Sequence, residues 1–273
     1  MGSIVEILLW ALIILDSGGC SVSLPEITDG NFIHQCVMEH NSARSAVSPA
    51  ASNMLYMTWD EGLAITARAW ARHCLFEHNT FLNDVRRVHP TFSSVGENIW
   101  TGYPPSSFDV AHSIKRWVDE KQDYDYDSDS CTKVCGHYTQ VVWARSYKVG
   151  CAAQLCPNGV KNTEFGSRES VIFVCNYAPA GNVARKKPYE TKGTECSGCE
   201  GKCESRLCRS QERDSQKSYN WSPDWDPAVA TTYEGHGLIQ SVPRSPVEKL
   251  LQGSPGRVCR HVRKMCLYFL FFF

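Results

Sequence analysis

The feature that most restricts the possible folds of this chain is its cysteine content. The sequence of 273 residues contains 14 cysteines, and several stand close together, as in CSGCEGKCESRLC at 196–208. Clustered cysteines in such numbers are unusual in a cytosolic enzyme and typical of proteins that fold in an oxidising compartment, where they pair as disulfides. Four cysteines this close could alternatively bind zinc.

The amino terminus indicates the same compartment. Residues 7–15 form an apolar run, and small residues follow from 17 to 23, an order typical of a secretory signal peptide, which we place at residues 1–22. The stretch before the run contains Glu6 and no lysine or arginine, so a short membrane anchor is the alternative. The run is, however, well below the roughly 20 apolar residues that span a bilayer. We therefore expect a secreted, extracellular protein with disulfides and with no transmembrane helix beyond the signal peptide.

Hydrophobic periodicity predicts three helices in the first half of the chain. Apolar residues recur at helical spacing over 32–46, over 61–74 after a capping Asp60, and over 107–124. The segment SVGENIWTG, which ends at Gly102, is predicted to be a loop.

The second half has the composition of short strands. The segments YTQVVWARS, KVGCAAQLC and SVIFVCNYAP are rich in β-branched and aromatic residues, which predicts neighbouring strands of a small antiparallel sheet. His137 would then stand at the entrance of the first strand. Helices around such a sheet give an α+β fold.

The carboxy-terminal part is predicted to lack a large core. Residues 190–209 form a cysteine-rich hinge, and 210–273 are a low-complexity tail rich in Ser, Pro, Gly and charge, for which we expect disorder. Its last seven residues are apolar but too few to span a bilayer. The sequon Asn220-Trp221-Ser222 predicts N-glycosylation of Asn220 in a secreted chain.

Two segments of the chain resemble known family signatures. GHYTQVVW (136–143) and IFVCNYAPAGN (172–182) are similar to the two signatures of the CAP superfamily, the cysteine-rich secretory proteins, antigen 5 and plant pathogenesis-related 1. The resemblance covers about 32–189, is strongest to the glioma pathogenesis-related branch, and implies a CAP (SCP) domain at 30–189. The fold it implies is a three-layer α-β-α sandwich.

The resemblance also implies a cleft lined by two histidines and two acids. These are His78, Glu97, Glu120 and His137. Two imidazoles could hold Zn²⁺, and either glutamate could orient a histidine or accept a proton from bound water as a candidate catalytic residue. The same four residues could instead form a hydrogen-bonded network that makes the cleft rigid. Taken alone, His78 would be an ordinary loop residue and Glu97 an ordinary turn residue. Glu120 would be a solvated helical charge and His137 a buried core histidine.

Five disulfides are implied by the same resemblance. They are Cys74–Cys156, Cys151–Cys175, Cys131–Cys135, Cys196–Cys203 and Cys199–Cys208. Cys36, Cys259 and Cys266 have no implied partner, and Cys20 would be lost with the signal peptide.

The resemblance implies a secreted, non-enzymatic protein. Its partner would be an extracellular protein, glycan or lipid, the last including sterols. The alternative is a zinc-dependent hydrolase that uses the His/Glu tetrad. The formal net charge of −1 at pH 7 gives no reason to expect nucleic-acid binding.

Overall fold

The computed structural model describes residues 22–84, 86–215, 217 and 219–229. The predicted signal peptide up to residue 21, with Cys20, and the tail from 230 onward, with Cys259 and Cys266, lie outside the described residues. None of the described helices is long and apolar enough to cross a bilayer.

Three capped helices follow one another as the sequence predicts. Helix α1 is Gly30–Ser45, α2 is Glu61–Ala71 and α3 is Val110–Val118. Each begins after an aspartate whose carboxylate accepts hydrogen bonds from backbone amides of the first turn, for example Asp60 from Leu63 N at 3.0 Å. Such a cap satisfies amide groups that have no partner within the helix. A 3₁₀ turn, Asp119–Asp123, continues α3.

The central sheet has four strands in the order β1-β5-β6-β2. β5 (Lys148–Cys156) pairs antiparallel with β6 (Ser170–Ala178), which pairs antiparallel with β2 (Gly96–Gly102); the short β1 (Thr58–Trp59) runs parallel to β5. Every residue of β6 is buried, because helices cover both faces of the sheet. Two small hairpins complete the strands, β3–β4 (Tyr124–Asp125, Ser130–Cys131) and β7–β8 (Lys202–Glu204, Leu207–Arg209).

The layers form the predicted α-β-α sandwich. α2 lies against β5 and β6 so closely that a Cβ added at Gly150 would stand 2.1 Å from the backbone N of Ala64. On the opposite face, Phe173 of β6 packs against Phe32 of α1 and Trp117 of α3. The α+β fold and its three layers are therefore confirmed.

Two segments differ from their predicted structure. Gly136–Val141 is a helix, α4, so the prediction of a strand with His137 at its entrance was wrong. Gly96–Gly102, predicted as a loop, is strand β2 and pairs with β6 over its whole length. In both cases contacts with distant parts of the chain decide the conformation against local propensity.

The structure contains the five disulfides that the resemblance implies. Cys74–Cys156 joins the end of α2 to the end of β5, and Cys151–Cys175 links opposed residues of β5 and β6. Cys36 is buried, and it is the one cysteine within the described range that stays outside a disulfide.

Beyond the hinge, residues 210–215, 217 and 219–229 have a defined conformation, where the sequence predicts a disordered tail from 210. Gln211–Asp214 form a short helix, α5. Farther on, Trp225 stacks on Phe81 with ring centroids 5.0 Å apart, and Asp226 pairs with Arg72 at 2.6 Å. A few aromatic and acidic residues with specific partners are enough to hold this polar segment on the domain.

Candidate functional site

The first half of the candidate site is a histidine held by a buried glutamate. His78 lies in the loop after α2, and Glu97 lies at the start of β2. His78 Nδ1 donates to Glu97 Oε1 at 3.0 Å, and Asn79 N donates to the same oxygen at 2.9 Å. Asn176 Nδ2, directly opposite on β6, approaches Glu97 Oε2 at 3.3 Å. The Glu97 side chain is fully covered while 65% of the His78 side chain is exposed, so the carboxylate anchors a ring that faces solvent.

The second half is built in the same way. Glu120 comes from the 3₁₀ turn after α3, and His137 is the second residue of α4. His137 Nδ1 donates to Glu120 Oε1 at 2.6 Å, while the backbone amides of His137 and Tyr138 donate to Oε2 at 3.0 and 3.2 Å. Glu120 thus caps the first turn of α4 and orients its histidine at the same time. Trp117 stacks on the His137 ring with planes 11° apart, which restricts the ring further.

Strand β2 joins the two halves. Glu97 and Asn98 are neighbours on this edge strand, so their side chains point to opposite faces of the sheet. Glu97 holds His78 on the face covered by α2, whereas Asn98 Nδ2 donates to the His137 carbonyl at 3.0 Å on the other face. The structure therefore brings all four predicted residues to one edge of the sheet, as two His–Glu pairs that flank β2.

The two glutamates determine which ring nitrogen of each histidine carries the proton. A carboxylate can only accept a hydrogen bond, so Nδ1 of each ring carries the proton and Nε2 of a neutral ring keeps a free lone pair. This is how histidines that bind metals are usually oriented. The hydrogen bond that His78 donates to Glu97 raises the pKa of His78, and partial burial acts in the opposite direction.

Each of the two histidines offers an Nε2 atom of the kind that divalent metals bind. Nε2 of His78 and of His137 would bind the ion, and water or a ligand would complete its coordination. A bound ion would supply a Lewis acid at this edge of the sheet. Within the described part of the chain, the one group of three metal-capable side chains with ligand atoms inside 4.8 Å is Cys196, Cys199 and Cys208. Those sulfurs are in disulfides, so they are not thiolate ligands.

A buried arginine that was not predicted from the sequence binds the carbonyl groups at the end of α4. Arg44 is fully buried in α1 and donates to the carbonyls of Val141 and Trp143 at 2.9 and 2.7 Å, at the end of α4. It also donates to Leu55 O and Ala144 O. Burial lowers its pKa to about 9. The sequence contains a signal, because Arg44 follows the buried Phe32, Cys36 and His40 at four-residue spacing on one helix face.

A second support for His137 is a chain of buried hydrogen bonds. His40 Nδ1 donates to Cys36 O at 2.7 Å, and its Nε2 accepts from the Tyr177 hydroxyl at 2.8 Å. Burial lowers the pKa of His40 to about 4, so the ring is neutral. A neutral ring has one donor and one acceptor nitrogen, as these two hydrogen bonds require. Asn98 Nδ2 donates to the Tyr177 oxygen at 3.2 Å as well as to His137 O. The position of His137 is thus tied to the core of the sandwich.

The chain is similar in sequence to a protein family and to several curated relatives. The family described as CAP, the cysteine-rich secretory protein family, matches residues 37–177. GLIPR1-like protein 1 of Bos taurus is 51% identical over 201 residues, 73% of this chain and 80% of the relative. Glioma pathogenesis-related protein 1 of Mus musculus is 43% identical over 244 residues, 88% of this chain and 89% of the relative.

Among solved structures, the crystal structure of NaASP2 with Zn²⁺ is similar with a TM-score of 0.50 and 27% identity, and the match covers 66% of this chain and 96% of that chain. The fold, the relatives and the family match lead to one assignment. The chain belongs to the cysteine-rich secretory protein (CAP) family.

Proposed function

We propose that the protein is a secreted, non-enzymatic recognition protein whose two His–Glu pairs form a site for a divalent metal. The observation that carries the proposal is that both Nδ1 atoms are engaged by carboxylates, at 3.0 Å for His78 and 2.6 Å for His137. Each ring is thereby prepared to bind through Nε2. The five disulfides support an extracellular location, and the similarity to a structure described with Zn²⁺ supports zinc as the first metal to test.

The hydrolase alternative is less well supported. A general base needs a free lone pair that faces the reacting water. Three of the about four acceptor positions of each carboxylate are already used: Glu97 accepts from His78, Asn79 and Asn176, and Glu120 accepts from the His137 ring and from two backbone amides. Catalytic zinc usually has three protein ligands, and this pair of histidines supplies two. Both facts favour carboxylates that orient the imidazoles over carboxylates that catalyse.

Lipid or sterol carriage is also less well supported than recognition at the surface. An acyl chain or a sterol needs an apolar cleft. Every residue of β6 is buried, and Phe173 is packed by Phe32 on α1 and Trp117 on α3. Within the described residues, the centre of the sheet therefore offers no open apolar face.

Zinc titration by calorimetry tests the metal site. The wild-type protein should bind one Zn²⁺, and His78→Ala and His137→Ala should each weaken binding about tenfold or more, since each removes one of two protein ligands. Glu120→Gln should weaken it about 10- to 100-fold by removing the group that orients His137. His34→Ala is the matched control, because His34 is exposed on α1, and it should leave affinity unchanged.

Two results would count against the proposal. Unchanged zinc affinity in both His78→Ala and His137→Ala would exclude the tetrad as the metal site. Cleavage of a peptide library by the zinc-loaded protein, abolished by Glu97→Gln or Glu120→Gln, would replace recognition with hydrolysis.

A further inference from the structure

A groove beside the end of α4 carries a concentration of positive charge. It has a volume of about 790 Å³ and is formed by residues 143–145, 179–180, 183 and 186–192 with Asn53 and Tyr126. We call it the cationic groove. Its charged lining consists of Arg145, Lys186, Lys187, Lys192 and the single acid Glu190. Four cations and one carboxylate leave a net +3 there, in a chain whose formal net charge is −1.

Most of these cations are not neutralised by the protein. Arg145, Lys186 and Lys192 are exposed and form no ion pair with any acid among the described residues. Lys187 donates to the backbone oxygen of Asp127 and lies 4.5 Å from the centre of the Tyr126 ring. Its charge is partly offset by the exposed Asp125, whose pKa is lowered mainly by hydrogen bonds from Ser128 and to a smaller extent by Lys187. Cations without ion-pair partners along a concave surface produce a positive potential that attracts polyanions.

The charge extends beyond the groove in one direction. A neighbouring depression of about 330 Å³ shares Lys186 with the groove and adds one cation, Arg185, and one acid, Asp129. It reaches Gly136 and Thr139 at the start of α4, where Asn182 bonds to both residues at 2.8 and 2.7 Å. The cations therefore form a strip, which suits the repeated charges of a polymer better than a single small anion.

The floor of the groove is rigid before any ligand arrives. Ala144 N donates to Pro188 O at 2.7 Å, and the Tyr126 hydroxyl donates to Tyr189 O at 2.7 Å. The rings of Tyr126 and Tyr189 also stack with centroids 4.7 Å apart. The adjoining Glu190 carbonyl accepts from Ser52 N at 2.7 Å. A preformed backbone lowers the entropy lost when a ligand binds.

We propose that the cationic groove binds a sulfated polysaccharide chain. Arginine and lysine form strong charge-assisted hydrogen bonds with anionic oxygens. Sulfated glycans are among the regularly repeating polyanions of the oxidising extracellular space that the disulfides indicate. The inference rests on the proposed recognition function, to which it adds a ligand class, but it requires no metal. Its failure would leave the zinc titration unaffected.

The test measures binding of a heparin-derived dodecasaccharide to the full-length glycosylated protein in EDTA at about 0.15 M NaCl, where long-range surface electrostatics are largely screened. The groove variant combines Arg145→Gln, Lys186→Gln and Lys192→Gln. The matched control combines Arg116→Gln, Lys161→Gln and Lys202→Gln, three cations that are exposed elsewhere on the domain. Both variants lose three positive charges.

The groove variant should bind about tenfold or more weakly, and its slope of log affinity against log salt should become shallower by about 2 to 3, as expected for the loss of three ionic contacts with a polyanion. The control variant should stay within about twofold of wild type. Absence of dodecasaccharide binding by the wild-type protein, or equal weakening in both variants, would overturn the inference. Equal affinity for an unsulfated hyaluronan dodecasaccharide, or binding only to phosphatidylserine vesicles, would overturn the sulfated glycan as the ligand.

Discussion

Two of the disulfides should contribute very different amounts to the free energy of unfolding. Removing each of them separately tests this difference. Cys74–Cys156 closes a loop with a sequence separation of 82, whereas Cys131–Cys135 closes one of 4. In the chain-entropy model the stabilisation grows with the logarithm of loop length, which gives about 4.5 kcal/mol for the long loop and about 1.9 kcal/mol for the short one. Replacing each pair by alanines should therefore lower the free energy of unfolding by amounts that differ by about 2.6 kcal/mol.

For zinc affinity at the candidate site we expect the reverse order: loss of the short disulfide should matter more than loss of the long one. Cys135 immediately precedes α4, so loss of the short disulfide releases the segment that leads into His137. The Cys131→Ala/Cys135→Ala variant should keep most of its stability and lose zinc affinity. The Cys74→Ala/Cys156→Ala variant should lose stability, but its zinc affinity should be preserved under conditions where it is folded.

Equilibrium urea unfolding without reductant measures the first difference, and zinc calorimetry measures the second. Tryptophan fluorescence and circular dichroism should give coincident transitions, so that a two-state free energy is defined. An equal or larger loss of stability in the Cys131→Ala/Cys135→Ala variant would refute the loop-entropy reasoning. Unchanged zinc affinity in that variant would refute the role of the short disulfide in positioning His137.

Three further predictions concern single groups. The hydrogen bond that His78 donates to Glu97 raises the pKa of His78. The stability that this pair contributes should therefore be present at low pH and lost as the pH rises through that raised pKa, while zinc affinity should rise over the same interval. NMR titration should show the pKa of His78 falling in Glu97→Gln, and an unchanged pKa would contradict the role of Glu97. Gly150→Ala places a Cβ 2.1 Å from backbone of α2 and should lower the urea midpoint by the equivalent of about 1–3 kcal/mol, whereas Gly30→Ala, with no neighbour within 4 Å, should not. Tyr177→Phe leaves two buried partners without their hydrogen bonds and should cost about 1–3 kcal/mol in the same assay; a neutral result would show that water or a new partner replaces the hydroxyl.

The local sequence was sufficient for elements whose stabilising groups lie close together along the chain. Helix α2 is an example, because Asp60 and the first turn that it caps are separated by three residues. The buried strand β6 was also predictable, since its run of β-branched and aromatic residues is typical of a strand covered on both faces. The tetrad came from the two signature segments and their family resemblance, because no local property marks His78 or Glu97 as a site residue.

The sequence by itself thus determined the family, the three main helices and the central strands of the sheet, because these depend on short-range patterns. Only the tertiary structure decided the conformation of α4 and β2. The GHYTQV segment has the composition of a strand, but Glu120 caps its start and Arg44 binds the carbonyls at its end, so it forms a helix. The order of the segment around Trp225 and the positive charge of the groove likewise arise from residues distant in sequence, whose contacts no local pattern specifies.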